Sequence, residues 1–175
     1  QRCVDSVQLS TQSLRTFAYS RERNEIAIGS SDRNIYIVDS NTLILKSVIH
    51  DAHQNSVFSV AYSPDSSRLL SGGRDAMLKM WDVEDGFSQL HGLAAHWYTI
   101  NSIAFHPKGH IFATASRDKT IKIWDTKGCE LLKVIDTIRY GCHTRSVNSL
   151  FWSDFNCWLV SGSDDRSLMI WEILD

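Results

Sequence analysis

Residues 113–125 read ATASRDKTIKIWD, a run that alternates apolar with polar side chains and ends in a Trp-Asp pair. Residues 70–82, LSGGRDAMLKMWD, repeat the pattern, and residues 160–172, VSGSDDRSLMIWE, repeat it again. Aligned on Trp81, Trp124 and Trp171, each copy carries an aspartate six residues earlier: Asp75, Asp118 and Asp165. Four residues before each aspartate stands a hydroxyl, Ser71, Thr114 or Ser161, and 22 residues before it a histidine, His53, His96 or His143. The histidines set periods of 43 and 47 residues. Such self-similarity is the signature of a fold built from repeated supersecondary units.

One period upstream lies a degenerate copy around Asp32, in IAIGSSDRNIYIVD, residues 26–39. There Ser10 stands at the histidine position, Ile28 at the hydroxyl and Val38 at the tryptophan. The repeats therefore run over about 10–52, 53–95, 96–142 and 143–175. Each contains three runs of period-2 alternation split by turn residues, such as SVFSVAYS, RLLSGG and MLKMWDV in the second copy. A fourth, less apolar run follows each copy: LILKSVIH, FSQLHGLA and LLKVIDTI. Four short strands per repeat without helical periodicity predict an all-β chain of four-stranded antiparallel blades, a β-propeller.

These residues resemble the WD40 family, whose repeats run from a Gly-His-like dipeptide to Trp-Asp. Two departures stand out. Ala52, Ala95 and Cys142 replace the glycine before each histidine, which is expected to loosen that turn, and the last pair is Trp171-Glu172. The resemblance implies that indole, hydroxyl, imidazole and carboxylate form a structural tetrad. The donor and acceptor inventory agrees: Trp124, Thr114, His96 and Asp118 can form a chain in which every member finds a partner, and such a satisfied network fixes register. A Ser-His-Asp set written three times is thus read as fastening. A hydrolase needs one exposed nucleophile beside an oxyanion hole.

Composition sets the remaining limits. The chain has 175 residues, 43% apolar and 22% charged, ordinary for a globular domain. A net charge of −2 without basic or acidic runs gives no sign of a nucleic-acid partner. No apolar run approaches the ~18–20 residues that span a bilayer, and no cleavable leader is read. The four cysteines make no Cys-x-x-Cys pair, so reduced thiols and a cytoplasmic location are expected. No metal or cofactor is expected. The pair His50 and His53 lacks the further ligands of a metal shell, and no phosphate-loop motif follows the glycines. His106 and His110 flank a turn and are expected to be solvated.

Segment 1–9 is expected to be an outer strand of a preceding or closing blade, and the last repeat to lack one. Three arrangements satisfy this: part of a larger, seven-bladed ring, half of a ring closed by two chains, or four blades closed on themselves. Function is then expected on surfaces: a non-catalytic scaffold for peptide or protein partners. Rival readings are a sensor or regulatory module of a larger signalling polypeptide, and a propeller enzyme. By resemblance, partner-facing positions flank the start of each inner strand and precede each tetrad aspartate. They include Arg15, Phe58, Arg74, Asn101, Arg117 and Asn148, a set whose arginines suit an acidic or phosphorylated peptide. Trp97 and Tyr98 follow His96 in a turn, and four extra residues within DTIRYGCH, 136–143, are expected to bulge from the connection between third and fourth strands.

Overall fold

A computed structural model describes residues 2–173. Alternating apolar runs form strands, and Gly, Pro, Asn and Asp break them, as the sequence predicts. Blade 1 contains β1 (Leu14–Ser20), β2 (Glu25–Ser30), β3 (Ile35–Asp39) and β4 (Leu45–Ile49). Blade 2 contains β5 (Val57–Tyr62), β6 (Arg68–Gly73), β7 (Met77–Asp82) and β8 (Ser88–Ala94). Blade 3 contains β9 (Ile100–Phe105), β10 (Ile111–Ser116), β11 (Ile121–Asp125) and β12 (Leu131–Ile135), and is followed by a short helix, α1 (Thr137–Tyr140). Blade 4 contains β13 (Val147–Trp152), β14 (Leu159–Ser163) and β15 (Leu168–Trp171).

Within each blade the strands pair antiparallel in chain order, and the first strands of successive blades touch: β1 with β5, β5 with β9, β9 with β13. The blades are thus arranged as in a propeller, with first strands innermost. The turn between second and third strands is the same in all four blades. Its left-handed residue is Arg33, Ala76, Lys119 or Arg166, with φ of 79°, 64°, 74° and 70°.

Three apolar clusters hold the blades together, one at each joint. Ala27, Ile35 and Ile37 of blade 1 pack on Val57, Val60 and Leu69 of blade 2. Leu70, Leu78 and Met80 then meet Ile100, Ile103 and Phe112, and Ala113, Ile121 and Ile123 meet Val147, Leu150 and Leu159. Each fully buried branched side chain contributes about 1.5–3 kcal/mol, so these joints are the main source of cohesion. Ala52, Ala95 and Cys142 are buried in the same joints. The expected loosening of the turn before histidine is therefore corrected: none of the three has a positive φ, so no glycine is required there.

The two flanks of the arc carry the same positions without cover. On blade 1, Leu14 and Phe17 correspond to Val57 and Val60, yet Phe17 is 77% exposed, beside a hollow of about 410 Å³. On blade 4, Leu168 and Ile170 correspond to Leu78 and Met80, yet Leu168 is 68% exposed. Glycine records the same difference. A Cβ on Gly29 would stand 2.8 Å from Val57 Cγ1, and one on Gly72 would stand 2.6 Å from Ile100 Cγ2. Around the matching Gly162 nothing lies within 4 Å.

Two expectations change. Residues 2–10 form no strand: among the described residues the blade with three strands is blade 4, at the far end of the arc. Gln1 lies outside the described residues. The extra residues before His143 sit after β12, in the link between blades, and wind into α1. Its N-cap Asp136 accepts from the Arg139 N–H, and Gly141 ends it in a left-handed conformation (φ 63°). Among the described residues no helix is long and apolar enough to cross a membrane.

Candidate functional site

The tetrads form as the donor and acceptor inventory requires. In blade 2 the Trp81 indole N–H donates to Ser71 Oγ at 2.9 Å, and Ser71 Oγ lies 2.8 Å from His53 Nε2. His53 Nδ1 lies 3.0 Å from Asp75 Oδ1. Blade 3 repeats the chain with Trp124–Thr114, Thr114–His96 and His96–Asp118, each 2.8 Å long. Blade 4 gives 2.9, 2.8 and 3.0 Å for Trp171–Ser161, Ser161–His143 and His143–Asp165. The carboxylate can only accept, so each histidine donates from Nδ1. Nε2 then accepts the hydroxyl proton, and the hydroxyl oxygen accepts the indole N–H.

Each carboxylate also binds two turns together. Asp75 accepts from the N–H groups of Gln54 and Met77, Asp118 from Trp97 and Thr120, and Asp165 from Thr144 and Ser167. Burial alone would raise the Asp118 carboxyl. Hydrogen bonds from His96, Thr120 and the Trp97 N–H outweigh it and hold the group well below the usual carboxylate range. Asp75 is lowered for the same reasons, with His53 as its chief partner. Asp165 is lowered first by the Ser167 hydroxyl. Burial depresses His96 against the pull of Asp118, and so favours the neutral imidazole.

That proton order is the one a hydrolytic triad uses, but access is missing. Ser71, Thr114 and Ser161 are fully buried, and an indole N–H caps each oxygen. Among the described residues no three His, Cys, Asp or Glu side chains are placed to hold a metal ion.

Blade 1 shows what the degenerate repeat conceals. Ser10 Oγ donates to Asp32 Oδ2 at 2.5 Å, filling the histidine's place, and the Tyr36 hydroxyl donates to the same oxygen at 2.6 Å. Tyr36 lies outside the repeated positions, so spacing could not identify it. The expectation that His106 is solvated is corrected too. His106 is buried, edge-on to Trp152 with ring centroids 5.0 Å apart, and His110 packs against it at 4.6 Å.

The inner rim is the other candidate. The residue before each tetrad aspartate donates its N–H to the carbonyl just ahead of the inner strand: Ser31 to Ser13, Arg74 to Ser56, Arg117 to Thr99 and Asp164 to Ser146, at 2.9–3.0 Å. Four equivalent bonds bring these residues to the same end of the inner strands. Arg15 lies over the Phe58 ring at 5.5 Å and donates from Nε to Ser31 Oγ at 2.7 Å. Asn101 Nδ2 reaches Ser146 Oγ, the Val147 carbonyl and Asn148 Oδ1 across the joint between blades 3 and 4, while Asn148 donates to Asp164. Arg74 and Arg117 are exposed and form no ion pair among the described residues.

Residues 45–82, 87–125 and 133–172 match the family described as WD domain, G-beta repeat. The degenerate first copy falls largely outside the match. Among relatives, the WD repeat-containing protein RUP1 of Arabidopsis thaliana is 35% identical over 63 residues, covering 36% of this chain and 16% of the relative. Periodic tryptophan protein 2 of Saccharomyces cerevisiae is 30% identical over 87 residues, 48% of this chain and 9% of the relative. The chain thus aligns with less than a fifth of the length of these relatives. The crystal structure of the computationally designed Ika4 protein superposes with a TM-score of 0.80 at 27% identity, over 99% of both chains. With three matched repeats spanning more than half of its length and a hydrogen-bonded tetrad in each, the chain belongs to the WD40 family.

Proposed function

We propose that the chain is a non-catalytic scaffold that binds a peptide segment of a partner protein on its inner rim. WD40 relatives in general hold protein partners. The observation that carries the reading to a particular surface is the pair of exposed arginines, Arg74 and Arg117, at equivalent positions of adjacent blades. Guanidinium forks grip carboxylate or phosphate bidentately, so an acidic or phosphorylated segment is the ligand that fits. Phe58, stacked beneath Arg15, offers an apolar surface next to them. Asn101 and Asn148 are already engaged at the joint and play the lesser part. The sealed tetrad hydroxyls support a role without catalysis.

The uncovered flanks support a second reading, that this arc works within a larger ring, joined to further blades or to a second copy through Leu14 and Phe17 on one side and Leu168 and Ile170 on the other. Four free thiols fit a reducing compartment such as the cytoplasm.

The test is fluorescence anisotropy with a labelled peptide carrying phosphoserine among glutamates. Loss of two charge-assisted contacts in the Arg74→Ala, Arg117→Ala double variant is expected to weaken binding by ~10-fold or more, with the thermal midpoint unchanged. Equal binding by the double variant overturns the inner-rim reading.

A further inference from the structure

Blade 3 carries a second, unlike surface around its β10–β11 turn and α1. Trp97 is 86% exposed and Tyr98 61%, directly after His96, and Ile138 in α1 is 97% exposed. Blade 3 has a neighbour on either side, so this exposure does not come from the open flanks. Nor does the repeat dictate it: the positions of Trp97 and Tyr98 hold Gln54 and Asn55 in blade 2, and Thr144 and Arg145 in blade 4.

Both apolar elements border one turn. The Trp97 N–H donates to Asp118, and the Tyr98 carbonyl accepts from Ser116 Oγ, which fixes the aromatic pair beside the β10–β11 turn. From the other side, β12 ends with Ile135 opposite Ile121, so α1 rises next to the same turn. Thr137 Oγ1 ties the helix down by donating to the His143 carbonyl. The charges there are basic: Lys119 at the tip of the turn, Arg139 in the helix, and Lys133, whose Nζ lies over the Tyr140 ring at 6.0 Å. Asp118 is sealed inside the tetrad. Asp136 caps α1 and meets Arg139 at 3.8 Å, leaving that guanidinium 71% exposed.

We propose that the surface of blade 3 formed by Trp97, Tyr98 and α1 is a docking surface for a protein segment that mixes acidic with bulky apolar residues. Exposed aromatics anchored on rigid backbone are the residues that dominate binding energy at interfaces, and the surrounding bases select the charge of the partner. The surface adjoins the inner rim, because Arg117 stands in the same β10–β11 turn and donates its N–H to the Thr99 carbonyl beside Tyr98, but its anchors are Trp97, Tyr98 and Ile138.

Three labelled probes are titrated onto the protein: a short peptide alternating glutamate with leucine and phenylalanine, its lysine-for-glutamate version, and a short oligothymidylate. The acidic peptide is expected to bind, and Trp97→Ser with Ile138→Ser to weaken it by ~10-fold or more. Lys119→Glu with Arg139→Glu is expected to have a comparable effect, and both variants should keep the thermal midpoint, since the four side chains are exposed. Arg74→Ala, in the turn of blade 2, is the control that separates this surface from the inner rim, and it should bind the acidic peptide as the parent does. Equal binding of the lysine peptide, retention of binding in the Trp97 and Ile138 variant, or binding of the oligothymidylate alone overturns the proposal.

Discussion

Gly72 lies directly beneath Ile100, so close that a Cβ on the glycine would stand 2.6 Å from Ile100 Cγ2 and 2.8 Å from its Cβ. The glycine is there because the next blade is there. Gly162 occupies the same place in blade 4 and has open space above it. Gly72→Val is expected to force the joint between blades 2 and 3 apart and cost about 1–3 kcal/mol, whereas Gly162→Val should be near neutral. Urea unfolding of the two variants checks this. Equal losses would mean that the flank of blade 4 is already packed.

Acid should loosen the tetrads in two stages. Burial keeps folded His96 below its ordinary 6.5, so below that pH the unfolded chain binds more protons and folding stability falls. Asp75 and Asp118 are held below their ordinary 3.8, so a further loss follows as pH drops beneath that value. Both shifts act in one direction: stability is fully present above about pH 6.5 and declines on acidification. Unfolding midpoints measured from pH 8 to pH 3 test it, and a midpoint that rises on acidification would contradict it.

In blade 1, Tyr36 does work that a histidine shares elsewhere. Tyr36→Phe removes one donor from Asp32 while leaving the ring buried. It should cost about 0.5–1.5 kcal/mol, and Ser10→Ala in the same background should cost more than the sum of the single changes, because Asp32 then loses both hydroxyl donors. A double-mutant cycle by chemical denaturation reads the coupling, and strict additivity would show that the two hydroxyls act independently.

Much of this architecture was legible because the repeat constrains it several times over. Strand positions such as β6 and β10 follow from alternation, and the tetrads follow from four residue types at fixed offsets. What escaped did so for physical reasons. Tyr36 replaces a lost partner from a position the repeat does not mark. The helix α1 spans four residues, too few for any periodicity, and its only sequence signals are Asp136 at the start and Gly141 at the end. Ala52, Ala95 and Cys142 suggested a looser turn, but a small side chain there fills the joint instead. His106 looked like a turn residue and is buried because Trp152, from the next blade, covers it. The rim contacts of Asn101 reach across a joint, which no single repeat displays.

The central claim is that each tetrad fastens its own blade, while the proposed binding uses the rim. Thr114→Val tests it most directly, because the change keeps shape while leaving the Trp124 N–H and His96 Nε2 without their partner. Urea unfolding and phosphopeptide titration are run on the same sample. The account predicts a stability loss of about 1–3 kcal/mol with peptide affinity unchanged. An unchanged unfolding midpoint together with lost affinity would contradict it.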